Sequence, residues 1–546
     1  MKKYLVLLAI LSVAFTLAGT NMQGIDVYDE ATYTHLAWNL ANGNISFNTP
    51  ESHYTNRWGI IVPLAFFIKL FGLNVQALVA WPLICFLLLI AANYFFLYSY
   101  HKNIAAFSSL LLACNPVLVR LSVHLFPDIV SLTFSVIAIM FLWKAINAPR
   151  EHPGMAKYGI AFAISFCMAL ISKESALFLL PFFAFACIRF KTPTRFMGIA
   201  LGVFVPILLL YLYFNMRLTG NAFSQLHSIE SLYNSDAMYS YSNMQLLKRL
   251  SYWPVKFLFE NAGYILVIIP SLPVLLTSNN DRFIQFFKWS VVILFLTYCF
   301  GTISATHYQP ILLDYRFWII LIYPASILSA YYIYHTGLFS PKIVVAVAAV
   351  SAATGIAIAI ANAHIESWHI SYQYALMPCL IGACLASSAV PAVSNNKNLV
   401  AGIFMLPLLS YHTVGARIIR HHNYQTSYYQ EQEAVTRFLL NDENKIIATS
   451  PHLANGIALY FNFDEALYHA KIYELTALDT LTADTSVAVY IFLNRRRLAL
   501  ERSGTTETFF YNKVPAYNPP ANLLYPDSSH WEILYNNAGV ELYKKR

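Results

Sequence analysis

The 546 residues are 58% hydrophobic and only 11% charged, with a mean hydropathy of +0.52, whereas roughly a quarter of an ordinary soluble protein is charged. Apolar runs of about 16 to 24 residues, each able to cross a hydrocarbon core of about 30 Å as a helix, exclude a soluble enzyme, and the lack of strict two-residue alternation excludes a β-barrel. The net charge of +8 lies largely in short loops between the apolar runs, where it is a topogenic signal, so nucleic acid is not an expected partner.

Lys2 and Lys3 precede the first apolar run, residues 4 to 19, and "TLAGTN" after it is a poor small-x-small cleavage site. An uncleaved anchor is therefore expected, with a cytoplasmic N-terminus. About thirteen spans are expected, near residues 4 to 19, 75 to 98, 104 to 122, 127 to 147, 158 to 172, 175 to 190, 196 to 214, 258 to 277, 286 to 305, 317 to 335, 342 to 362, 374 to 392 and 398 to 416. The inner loops then carry His101, Lys102, Arg150, Lys157, Arg189, Lys191, Arg195, Arg282, Lys288, Lys342 and Lys397, which agrees with the positive-inside bias of a plasma-membrane protein. The seven cysteines all fall in apolar segments and read as buried thiols rather than a disulfide framework or a metal site.

Two outer segments are too long to be turns. Residues 20 to 74 hold "DVYDEATYTHLAWNLANG" and then "RWGIIVPLAFFIKLFG", an apolar stretch containing Pro63 and closed by Gly72, expected to lie as a helix at the membrane surface. Residues 215 to 257 are rich in Tyr, Ser and Asn and carry Arg217, Lys248, Arg249 and Lys256; long loops of this kind often cover a site. From about residue 417 charged residues return, and residues 417 to 546 are expected to form an extracytoplasmic α/β domain after a membrane domain of residues 1 to 416. There "EQEAVTRFLL" has helical spacing, "KIIATS" and "VAVYIFL" read as buried strands, and "HWEILYNNAGVELYKK" as two strands around an Asn-Asn-Ala-Gly turn.

Candidate chemistry gathers on the outer side. Asp29 and Glu30 begin a helix whose Tyr33, Leu36, Ala37 and Leu40 share one face and which Asn42 and Gly43 end. Acids are favoured at a helix N-terminus through its free N–H groups, so capping and catalysis both remain open for this pair. Asp128, in "HLFPDIV", starts the fourth span at the same level, and Arg57, Lys173, Glu174 and Arg316 join it there. Snorkelling or local pairing, Lys173 with Glu174 or Arg316 with Asp314, would explain any one cation. Together, cations beside carboxylates suit an anionic lipid headgroup and a base that activates an acceptor, and Arg can grip phosphate with two hydrogen bonds. His53, His124 and His307 are also expected outside, and with Glu30, Asp128 or Glu174 they could complete a divalent metal site, although no tight ligand spacing supports one and no cofactor is assigned.

Taken in order, "DEATYTHLAWNLANG", Arg57 with Pro63 and "LFG", "PD" before a span, "SKESALFLLP" and "YRFWIILIYP" resemble the landmarks of the protein O-mannosyltransferase and lipid A aminoarabinose transferase group of GT-C glycosyltransferases. The resemblance covers the whole membrane part. It implies transfer of a sugar, with inversion, from a polyprenyl-phosphate donor to a lipid, polysaccharide or protein acceptor of the cell envelope. In that scheme Asp29 is the general base, Glu30 supports it and Asp128 positions the acceptor or tunes the base. Arg57, Lys173 and Arg316 would neutralise the lipid phosphate, with Glu174 and Tyr315 as further site residues. Between Arg57 and Pro63 the chain has "WGIIV", where the group often has proline directly after the basic residue. No β-trefoil insertion and no WWD-type motif occur, which argues against the eukaryotic mannosyltransferase and oligosaccharyltransferase branches. A flippase or transporter for lipid-linked saccharides is the rival from another class, but transporters usually place charges near the midplane and show repeated halves. A polysaccharide polymerase or ligase is a nearer alternative.

Overall fold

The computed structural model describes residues 2–22, 24–25, 29–44, 54–149, 151–235, 243–251, 253–259, 261–304, 308, 310–311, 313–361, 376–412, 428–478, 487–495, 497–499, 517 and 519–546. Every expected span is helical at its core: α1 (Lys2–Asn21), α4 (Val75–Tyr98), α5 (Lys102–Ala113) with α6 (Pro116–Ser122), α7 (Pro127–Asn147), α8 (Met155–Ser172), a 3-10 turn (Glu174–Leu179) leading into α9 (Leu180–Arg189), and α10 (Thr194–Thr219). Then come α14 (Ala262–Leu276), α15 (Arg282–Phe300), α16 (Ile322–Tyr334), α17 (Pro341–Ala361), and helices Met377–Ser388 and Lys397–Ser410. Among the described residues six of these helices are long and apolar enough to cross a bilayer, or seven if the bent pair α5 and α6 counts as one span. Several of the thirteen expected crossings are thus shorter or broken helices. At α5–α6 the two axes differ by 62°, because Pro116 cannot donate to the preceding turn. The side chain of Asn115 accepts from Val117 N and Leu118 N and donates to Gly263 O of α14 at 2.7 Å, while His412 Nε2 lies 2.7 Å from Cys114 O. Backbone groups freed by the break are thereby satisfied inside the bundle, as a membrane interior requires. A Cβ at Gly263 would stand 2.5 Å from Val117, so only glycine lets α14 approach this close.

α7 runs through the middle of the bundle and is mostly buried, whereas α10 is mostly exposed and turns its apolar sides outward. Fully buried Asn93 donates to Ser108 and Ser109, and Ser108 lies 3.2 Å from Ser326, so small polar groups tie α4, α5 and α16 together.

The outer segments are more ordered than loops. α2 (Asp29–Ala41) closes as its sequence predicts, with Gly43 at φ 78° and Asn44 N donating to Asn39 O. α3 (Trp58–Phe71) buries Gly59, Ile60, Ile61 and Leu64 while exposing Phe66, Leu70 and Phe71, so the helix is apolar on both its packed and its exposed sides. The stretch read as a covering loop contains α11 (Ser224–Ser235), α12 (Asn243–Leu250) and α13 (Trp253–Phe259). Arg249, counted among its outer charges, is fully buried and donates to the carbonyls of Tyr298, Cys299 and Ile311 at 2.6 to 3.3 Å. It caps the end of α15, a place where a cation meets the negative end of the dipole.

After helix Tyr428–Phe438, five strands form one sheet in the order β2-β1-β3-β5-β4. β1 (Lys445–Thr449) pairs in parallel with β2 (Ala470–Glu474) and β3 (Ala488–Asn494). β5 (Val540–Lys545) is antiparallel to both β3 and β4 (Trp531–Asn537). The β4–β5 turn is Ala538-Gly539, with φ of 50° and 86°, the left-handed pair that a two-residue hairpin needs. This unit grips α2: Trp38 Nε1 donates to Asn462 O at 3.1 Å, His35 stacks on Phe463 at 4.7 Å, and Tyr33, Ala37, Ile61 and Leu64 share one hydrophobic cluster with Tyr428, Val435 and Phe492.

Candidate active site

Asp29 stands in the first turn of α2, held there by the bundle on one side and the C-terminal sheet unit on the other. Its Oδ1 accepts from Tyr54 Oη at 2.7 Å and its Oδ2 from Arg316 Nη1 at 3.2 Å. Arg316 also reaches Asp314 at 3.6 Å and lies 4.6 Å over the Phe126 ring. The two side chains of the Asp29–Arg316 pair keep 23% and 24% of their surface exposed, so the carboxylate stays open to a reactant. Its neighbour points elsewhere. Glu30 is wholly buried and accepts from Leu125 N, with His124 Nδ1 at 3.2 Å; it fastens α2 to the segment leading into α7.

That segment delivers Asp128. Pro127 and Asp128 occupy the first turn of α7, as their helix-starting character predicts. Asp128 is 2% exposed, accepts from Lys173 Nζ, and has no such opening to solvent. Lys173 follows α8 and its ammonium lies 4.0 Å over the Phe317 ring. Burial pulls the Lys173 amine below the usual lysine value against the attraction of Asp128, and the positive charges of Arg316 and Arg57 lower it further. Asp128, Lys173 and Arg316 meet at a cavity of about 20 Å³ that Ser131, Leu179 and Ile320 also line, room for about one water.

Arg57 does not line that cavity. It makes a two-pronged bond to Glu174 at 2.8 and 3.2 Å and donates to Tyr33 Oη. Burial alone would raise the Glu174 carboxyl, but Arg57 and Lys173 outweigh it and hold it below the usual carboxylate range. Gln225 of α11 donates to the same carboxylate at 2.7 Å, so the covering segment is docked directly on this pair. Gly59 makes the arrangement reachable: a Cβ there would overlap Ser172 at the end of α8, and the missing side chain brings Arg57 beside Lys173 and Glu174. The sequence suggested Lys173 with Glu174; the fold pairs Arg57 with Glu174 and Lys173 with Asp128, while Arg316 keeps its expected neighbour Asp314 and adds Asp29. Tyr315 contributes its carbonyl to Tyr264 Oη at 2.6 Å and its ring to Arg120 at 5.2 Å.

Tyr33, Tyr54, Phe126 and Phe317 escaped sequence reasoning as site residues. Tyr33 shows there as an apolar-face residue, and nothing in the pattern around Tyr54 announces a partner for Asp29. Among the described residues no three His, Cys, Asp or Glu side chains assemble into a metal-binding group. His124 is turned to Glu30, Asp128 to Lys173 and Glu174 to Arg57, and His53 and His307 lie outside the described residues.

Residues 62–212 match the family described as dolichyl-phosphate-mannose-protein mannosyltransferase. Among solved structures, the fold is similar to ArnT from Cupriavidus metallidurans bound to undecaprenyl phosphate, with a TM-score of 0.59 and 13% identity over 98% of this chain and 97% of that one. The apo state of the same protein gives 0.59 and 12% over the same shares. The apo oligosaccharyltransferase of Archaeoglobus fulgidus matches with a TM-score of 0.48 and 11% identity, over 98% of this chain and 80% of that one. No curated protein matches the sequence. Over nearly its whole length, the chain is similar in fold to ArnT.

Proposed function

We propose that the protein transfers a sugar from a polyprenyl-phosphate donor to a hydroxyl or amine of a cell-envelope acceptor, on the outer face of the plasma membrane. The carrying observation is the placement of a part-exposed carboxylate, Asp29, 3.2 Å from Arg316, which in turn lines a small cavity with Lys173 and Asp128. Asp29 accepts the acceptor's proton as its oxygen or nitrogen attacks the anomeric carbon. The bond from that carbon to the phosphate oxygen breaks, the configuration inverts, and the polyprenyl phosphate leaves with the bonding pair. Arg316 and Lys173 face the charge that develops on the phosphate, where preorganised cations in a water-poor site are most effective. Asp128 holds Lys173 in place, and Glu30 fixes the helix that carries Asp29. Arg57 and Glu174 act as a positioning pair under α11, which gives the covering segment a fixed seat at the site.

Residues 1–416 are the membrane catalytic part on this reading, and 417–546 an extracytoplasmic α/β domain that holds α2 from outside. The similar structure of ArnT contains undecaprenyl phosphate, a leaving group of the class proposed. The test is incubation of the purified protein with a radiolabelled polyprenyl-phosphate sugar and envelope extract. Release of polyprenyl phosphate together with a new glycosidic bond is the expected result. Movement of the intact lipid-linked sugar across proteoliposomes without bond formation would overturn the reading.

A further inference from the structure

A second cavity, of about 490 Å³, lies at the other end of α7 from Asp128, some 30 Å away for a helix of that length. Its volume is within the roughly 300–1,000 Å³ of small-molecule sites. Arg189, Lys191 and Arg282 line it, with the amides of Asn280 and Gln285, and no carboxylate is among the lining residues. Arg282 Nη2 donates to Phe190 O at 2.7 Å and so ties the start of α15 to the end of α9. Ile146, Ala148 and Phe190 supply an apolar wall, and Ile188, one residue before Arg189, leaves 81% of its surface exposed. An isoleucine so exposed at the end of a membrane helix faces acyl chains, which sets the cavity at the boundary between lipid tails and headgroups.

The backbone gives a second, independent sign. α9 ends with Thr192 N donating to Cys187 O, and Lys191 occupies the left-handed position of that turn at φ 55°. Glycine or asparagine is the usual occupant, since any larger side chain is strained there. Here the strained position carries a cation at the mouth of a basic cavity.

We infer that this cavity binds a phosphate group, presented by the headgroup of an anionic phospholipid in the leaflet opposite the candidate active site. Arginine forks suit phosphate, and basic pockets between membrane helices are a recurrent lipid-headgroup environment. Asn280 adds an amide beside the cations, while Gln285 Nε2 donates to Asn279 O at 2.7 Å and braces the same wall.

The test is native mass spectrometry of the full-length protein released from nanodiscs containing phosphatidylglycerol or phosphatidylcholine. Wild-type protein should retain phosphatidylglycerol in preference. The R189Q/K191Q variant, which leaves the Arg282–Phe190 bond in place, should retain it roughly thirtyfold less, as expected for two cations at a membrane surface. K191G, relieved of strain, should still retain less lipid. Equal retention by wild type and variant, or equal retention of phosphatidylcholine, would overturn the proposal. Displacement of the lipid by millimolar inorganic phosphate would assign the cavity to soluble phosphates and overturn the lipid source.

Discussion

Replacing Asp29 by Asn separates catalysis from folding at this site. The amide oxygen can still accept from Tyr54, now 2.7 Å from Oδ1, and Arg316 retains Asp314 at 3.6 Å. What vanishes is one charge from an ion pair whose side chains are 23% and 24% exposed. With both side chains about three-quarters buried, the lost charged hydrogen bond is worth roughly 1.5–3 kcal/mol, and the melting point should fall by several degrees while the protein stays folded. Loss of a general base costs roughly 10²–10⁴ in rate, about 2.7–5.5 kcal/mol of transition-state stabilisation. The assay is single-turnover sugar transfer at saturating radiolabelled donor, run beside a thermal melt of the same preparation. A kcat within about threefold of wild type would refute the base assignment, since even the weakest general-base contribution is larger. A raised donor KM at unchanged kcat would instead make Asp29 a binding group.

Asp128→Asn should be far more disruptive to stability, because it strands the buried Lys173 ammonium; a loss of about 3–5 kcal/mol is expected by denaturant unfolding, with the double variant D128N/K173M recovering much of it. The lowered Lys173 amine should give activity an alkaline limb below the pH at which a free lysine deprotonates, and Lys173→Arg, if active, should lack that limb. Stability moves the opposite way in the same window: the unfolded chain binds more protons there, so this group's contribution rises with pH, readable as the difference between wild type and K173R. Gly59→Ala should push α3 off the end of α8 at Ser172, separating Arg57 from Glu174 and lowering transfer activity while membrane insertion is kept; full activity would show that the Arg57–Glu174 seat is dispensable.

Much of the fold is written in local sequence. Apolar runs bound the bundle helices, Asn42 and Gly43 end α2, Pro127 and Asp128 begin α7, and the Ala538-Gly539 hairpin follows from its turn residues. These features rest on solvation and backbone preference, which each segment carries by itself. The sequence also leads to the expectation that Asp29, Asp128, Lys173 and Arg316 lie on one side, from helix ends and loop charges, and the fold brings them close together. Partnership was decided only by tertiary structure. Arg316 reaches Asp29 across 287 positions and Arg57 reaches Glu174 across 117, while Glu30, adjacent to Asp29, turns inward to Leu125. Neighbouring acids on a helix face different directions, and a buried charge must take whichever counter-charge the packing supplies. The broken span at Asn115 has the same origin: the apolar run 104 to 122 reads as one continuous span, and the break at Asn115-Pro116 is held by contacts to Gly263 and His412 that only the packing supplies.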